Sequence, residues 1–492
     1  MKRTLFLLLL LALGGGWLIA GAGPGPSRAH VTSAGVPLEV VRPAGDGPHP
    51  GVVVAHGFSG SATLMAPFGD TLAARGYVVV LLDFAGHGAS TRQLPDQAAG
   101  TDESTEALQR DLSVAVAHLR SLPDVDASRV ALVGHSMGAG AVTRYAAAHP
   151  DVTATVAISL PDAVVASAER PARLLTIAGA LEFPGFREVA TDVAAQRDDR
   201  AVRIVPGVEH ITVLYAPQTH RETVAWLDRA FGGPRTDGAI PFPGRRLAGT
   251  VLLVLAFVLA FPPFVAQLAG TTTDPRRPAR PEPVASRLIG AVRVAAVTAV
   301  AAGAGAVAAR FLPTAQLPLA VAGYVIGYAA VTGALLLAYA AWRPTIANRP
   351  APVTARPRLL LTVPYAVLAI VVPVHLGMTH ALPVGDRWWL LPIVWAAFAL
   401  LAFATERVTA AEPLRLLAVA AVVVVVLAAA AVVGLTHGFV TLALFPLVGL
   451  MLWQALWSFF LNRSGVATGF IAVTGSVVVA WPLAVALPLS AS

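Results

Sequence analysis

Two hydrophobic patterns divide this chain. Between residues 36 and 231, short apolar runs alternate with stretches of helical spacing. The runs at 51–55, 77–84, 129–134, 154–160, 173–178 and 201–205 read as strands. They are apolar throughout rather than at alternate positions, and each is followed by a helix-like segment. That combination predicts a doubly wound α/β domain, with a mostly parallel sheet covered by helices on both faces. After residue 246 the pattern becomes one of long apolar spans. Eight are read, at about 247–268, 288–309, 317–341, 359–381, 388–405, 416–435, 439–460 and 466–488. Each approaches or exceeds the length of helix that crosses a bilayer, so an all-α polytopic transmembrane domain is expected.

The ends and joints complete the organisation. Lys2 and Arg3 precede an apolar run from 5 to 13 and then Gly14-Gly15-Gly16-Trp17, which is the pattern of an export signal. Ala20-Gly21-Ala22 resembles a cleavage site, but the stretch also suits a retained anchor, and the anchor reading is favoured. The expected layout is a signal peptide or signal anchor at 1–22, a linker at 23–34, the α/β domain at 35–232, a linker at 233–246 and the membrane block at 247–490.

Charge orients the block. The connections at about 269–287, 342–358, 406–415 and 461–465 carry Arg276, Arg277, Arg280, Arg343, Arg349, Arg356, Arg358, Arg407, Arg415 and Arg463, while the alternate connections carry mainly Arg310 and Arg387. Positive loops stay in the cytoplasm, so the α/β domain and Ser492 are expected on the external face of the cell membrane. The export signal gives the same orientation. The net charge of +7 is therefore explained by membrane topology, and nucleic acid is not an expected partner. The chain has no cysteine, which removes disulfides, thiolate metal sites and a cysteine nucleophile. His375, His380, Asp386 and His437 fall near external span ends and read as interfacial polar residues. No metal and no cofactor is expected.

The chemistry-bearing motif is Gly134-His135-Ser136-Met137-Gly138, a G-x-S-x-G between an apolar strand and an Ala-rich helix. A sharp strand-to-helix turn exposes the serine hydroxyl, and small flanking residues relieve crowding there. The helix N-terminus after it favours developing negative charge. With Asp126-Ala127-Ser128-Arg129 before the strand and the loop Asp83-Phe84-Ala85-Gly86-His87-Gly88-Ala89-Ser90, residues 35–232 resemble the α/β-hydrolase superfamily. The likeness is strongest to its dienelactone-hydrolase-like and serine-aminopeptidase or monoglyceride-lipase-like branches. Ala139 stands where many relatives have a second glycine.

The resemblance implies roles for further residues. Ser136 would be the nucleophile. His56-Gly57-Phe58 matches the family's oxyanion element, so the backbone N–H groups of Phe58 and Met137 would hold the oxyanion, with His56 structural. His210, after the last strand, would be the general base, because imidazole accepts and returns a proton near neutral pH. Glu182 in Gly179-Ala180-Leu181-Glu182 would be the acid, with Asp162 in reserve. The order Ser136, Glu182, His210 is the family's order of nucleophile, acid and base. Few residues separate the strands at 154–160 and 173–178, too few for a lid domain, so an open site is expected. The resulting expectation is a membrane-tethered serine hydrolase of carboxylic esters, with a small-molecule or lipid ester as substrate. An acyltransferase, thioesterase or peptidase of the same fold, and a non-catalytic ligand-binding domain of a transporter, stay open. The sequence says nothing about oligomeric state.

Overall fold

A computed structural model describes residues 2–21, 25–233, 239–269, 283–343 and 357–491. Of the arginines used above for orientation, Arg276, Arg277, Arg280, Arg349 and Arg356 lie outside the described residues.

The first unit is an eight-stranded sheet ordered β1-β2-β4-β3-β5-β6-β7-β8. The strands are β1 (Ser27–Ser33), β2 (Val36–Arg42), β3 (His49–Ala55), β4 (Val78–Leu82), β5 (Val125–His135), β6 (Ala154–Ile158), β7 (Leu174–Gly179) and β8 (Ala201–Val205). β1 and β2 pair antiparallel, β2 pairs antiparallel with β4, and the rest of the sheet is parallel. Helices α2 (Ala66–Ala74), α3 (Asp102–Ser121), α4 (Met137–Ala148), α5 (Pro184–Ala195) and α6 (Pro217–Ala230) cover it. Two cores lie on opposite faces. One holds Val52, Val54, Val79, Val133 and Leu227; the other holds Val53, Val80, Leu132, Leu112 and Val142. Alternate residues of one strand thus feed opposite faces, which is why these strands are apolar throughout.

The expected linker 23–34 is in large part strand β1. Its sequence, SRAHVTS, has no apolar run because it lies at the sheet edge and is half-exposed. Ala34 and Gly35, both at positive φ (44° and 78°), make the tight turn to β2.

The second unit is helical: α7 (Arg245–Ala269), α8 (Val284–Ala309), α9 (Ala322–Trp342), α10 (Thr362–Gly377), α11 (Arg387–Thr409), α12 (Pro413–Val432), α13 (Val440–Arg463) and α14 (Thr468–Ala486). A helix falls on each span read from the sequence. Together with α1 (Lys2–Ala20), eight of the described helices are long and apolar enough to cross a membrane. α1 packs on α7 where Gly15 meets Gly249. A Cβ on Gly15 would lie 2.8 Å from the Gly249 carbonyl oxygen, so only glycine permits this crossing. Arg245 then donates to the Leu18 and Ile19 carbonyls at 2.8 and 2.7 Å, satisfying the end of α1.

The two units meet through the loop that follows β4. Gly86 and Leu94 exchange backbone hydrogen bonds with Leu489 and Ala491. Gln93 donates to Asp386 at 2.9 Å, and Gln97 to the Ala315 carbonyl at 3.2 Å. The loops after α8 and α10, the start of α11 and the end of α14 therefore lie on the side of the α/β unit. These are the alternate connections, the ones poor in arginine. Arg245 and Arg246, at the start of α7 on the same side, pair with Asp70. Trp388 and Trp389 are exposed at the start of α11.

Candidate active site

Ser136 caps the N-terminus of α4 with φ 53° and ψ −118°, a strained conformation for a non-glycine residue. The turn is so tight that a Cβ on Gly134 would lie 2.3 Å from the Gly138 carbonyl oxygen, and one on Gly138 2.5 Å from that of His56. This is the physical reason for both glycines of the motif. Gly57 brings the loop after β3 close in, since a Cβ there would lie 3.0 Å from the Ser136 Cβ.

His210, in the loop after β8, places Nε2 3.0 Å from Ser136 Oγ. Its Nδ1 faces Glu182 Oε2 at 3.8 Å, and neither atom has another partner. Glu182 is buried in the loop after β7. Its other oxygen, Oε1, accepts from Ser159 Oγ at 2.5 Å and from the Gly179 N–H at 3.2 Å. The structure thus brings Ser136, His210 and Glu182 together in that order. Asp162 is elsewhere: it is exposed, and its carboxylate accepts from the Val164 N–H at 2.9 Å. Glu209 turns back on its own loop and accepts from the Ile211 and Thr212 N–H groups at 2.9 and 2.8 Å.

Met137 begins α4 and Phe58 follows Gly57, so both backbones border the serine. His56 is fully buried. Its Nδ1 meets the Gly57 carbonyl at 2.7 Å and its Nε2 accepts from the Phe84 N–H at 3.2 Å. Burial lowers its pKa to about 4, so it is neutral near pH 7 and ties the two loops together. His135 is likewise pushed down to about 3, first by burial and then by the neighbouring His210, and its Nε2 meets the His210 carbonyl at 2.9 Å. His220 is a satisfied core residue between Thr71 and Leu214.

Three contributors escaped the sequence reading. Ser159 is buried at φ 55° just after β6 and positions the carboxylate. Phe186 of α5 lies with its ring 4.8 Å from that of His210. Phe439, at the start of α13, stacks on Phe58 at 4.5 Å with an interplanar angle of 27°. No local motif marks any of them. The last also amends the expected open site: there is no lid between β6 and β7, only a loop with a short turn at Ala163–Val165, but the membrane block walls one side. Elsewhere the rim is apolar and exposed, at Val164, Leu181, Phe183 and Ile211. Among the described residues no group of His, Asp or Glu is arranged to hold a metal.

The parallel sheet with its antiparallel start and the serine on a strand-to-helix turn give residues 27–231 the α/β-hydrolase fold. Residues 46–202 match the family model described as serine aminopeptidase, S33. Cutinase est1 of Thermobifida alba is 29% identical over 190 residues, spanning 36% of this chain and 59% of the cutinase. Cutinase 1 of Thermobifida cellulosilytica is 32% identical over 108 residues, spanning 22% and 38%. The chain thus spans less than two thirds of the length of these curated relatives. Of solved structures, the esterase Pf2001 of Pyrococcus furiosus aligns with 18% identity and a TM-score of 0.34, over 42% of this chain and 92% of that one.

Proposed function

We propose that this chain is a membrane-tethered serine hydrolase that cleaves carboxylic esters through an acyl-serine intermediate. The observation that carries the reading is the 3.0 Å approach of His210 Nε2 to Ser136 Oγ on a strained turn. His210 takes the hydroxyl proton as Ser136 Oγ attacks the ester carbonyl. The carbonyl oxygen becomes an oxyanion held by the N–H groups of Phe58 and Met137. His210 then gives its proton to the leaving alcohol. Water repeats the sequence on the acyl-serine and releases the acid. Glu182 Oε2 fixes the imidazole orientation and offsets its positive charge, drawing closer as that charge forms.

The likeness to cutinases favours ester over amide or thioester. The exposed apolar rim favours an acyl or lipid ester, and the attached apolar helices favour action beside a membrane. The arginine asymmetry between alternate loops favours an external hydrolase domain. A fluorophosphonate probe is expected to label the protein at Ser136 and to fail with Ser136→Ala. Labelling that survives the substitution overturns the assignment. Turnover of a p-nitrophenyl ester by His210→Ala at the wild-type rate would instead favour a domain that only binds ligand.

A further inference from the structure

The segment 57–62, which supplies one proposed oxyanion N–H, is also where the membrane block grips the hydrolase. Phe58 stacks on Phe439. Ser61 Oγ lies 2.8 Å from Thr379 Oγ1 and accepts from the His380 N–H at 3.2 Å. Behind this segment stands the loop 83–90. The Asp83 carboxylate ties the two together, accepting from the Ala62 N–H at 2.7 Å and the Ala89 N–H at 2.9 Å. The Phe84 N–H adds the tie to His56 already described.

That supporting loop is held from outside by Arg387, the first residue of α11. Arg387 is fully buried. Its Nη2 donates to the Gly86 carbonyl at 2.7 Å and to the Leu487 carbonyl at 3.3 Å, and its Nη1 to the Ser90 carbonyl at 3.5 Å. The planar fork therefore spans the hydrolase loop and the chain leaving α14. A guanidinium buried among backbone carbonyls of both units is a costly arrangement unless the joint is held in one geometry.

Resting on the serine-hydrolase reading, we infer that the membrane block is a working part of the active site, and that Arg387 is a positioning residue for the oxyanion segment. The path runs from Arg387 to Gly86 and Ser90, through Asp83 to Ala62, and so to Gly57 and Phe58. Arg387 touches no reacting atom. It sets where the Phe58 N–H points, which matters only when the oxyanion forms.

The test uses the full chain in detergent, with p-nitrophenyl butyrate as substrate, phenylboronic acid as inhibitor and fluorophosphonate titration to count active sites. Boronic acid adds to the serine and places an oxygen where the oxyanion would stand. Per titrated site, Arg387→Gln is expected to lower kcat roughly 10- to 100-fold with KM within about twofold. Boronic acid inhibition is expected to weaken in parallel, and Arg387→Lys to recover part of the loss. Thr379→Val, which removes only the hydroxyl facing Ser61, is expected to lower kcat several-fold in the same manner, and decides the matter if Arg387→Gln does not accumulate. If both variants match wild type per site, or lose sites without losing kcat, the coupling is overturned and the hydrolase reading stands. If the wild type neither turns over the ester nor takes the probe, both fall.

Discussion

Ser159 divides the labour of a single carboxylate. By occupying Glu182 Oε1 it leaves Oε2 alone facing His210. Ser159→Ala is expected to lower kcat roughly tenfold while fluorophosphonate labelling persists, because Glu182 remains but loses its fixed direction. Glu182→Gln is expected to cost far more, on the order of 10⁴ in kcat, and ester turnover of the two purified variants separates these outcomes. The buried histidines make a second prediction. Burial lowers His56 and His220 to about 4 and His135 to about 3, below the ordinary value near 6.5. Below that value the unfolded chain takes up protons that the folded domain refuses. Their contribution is thus complete above pH 6.5 and lost as pH falls toward 4. The melting temperature of the hydrolase domain is expected to drop across that window, and His220→Gln to flatten the slope. At this scale the sequence made Ser136, His210 and Glu182 legible because each follows a strand in a fixed order. It could not announce Ser159, which is an ordinary serine until the sheet sets β6 beside β7.

Among elements, the parallel strands were readable because burial on both faces leaves an unbroken apolar run, and the long helices because they are apolar over the length of a membrane span. β1 was not, since an edge strand with one half-buried face carries no such run. The joint between α1, β1, α2 and α7 was equally hidden. It centres on Asp70 of α2, which faces Arg28, Arg245 and Arg246. Burial pushes this carboxyl up, but Arg246, Arg28 and Arg245 outweigh it and hold it below the usual range. The pairing therefore stabilises above the ordinary carboxylate range and is lost in acid. Asp70→Asn leaves three guanidinium groups short of a partner and is expected to cost about 3 kcal/mol, read as a lower melting temperature at pH 7 that converges on wild type only as pH falls below the ordinary carboxylate range. With Gly15 against Gly249 and Arg245 on the end of α1, the same joint favours α1 as a retained anchor. Intact-mass measurement of the purified protein is expected to include residues 2–21.

For the whole molecule, the α/β unit meets Ala315, Thr379, Asp386, Arg387 and Leu489, all at connections on one side of the helical block. The absence of cysteine makes orientation testable with single replacements. In intact cells an impermeant maleimide is expected to label Ser33→Cys and His437→Cys, and to reach Ser464→Cys only after permeabilisation. The reverse result inverts the topology. The pairing of Leu489 and Ala491 with Gly86 and Leu94 has a consequence in time. A ribosome delivers the proposed serine, acid and base early and this last segment only after nine further helices, α6 to α14. Until then the loop behind the oxyanion segment waits without its final neighbour. Competence becomes a late product of biogenesis, so nascent chains arrested before α14 should hydrolyse ester more slowly, per labelled serine, than released ones.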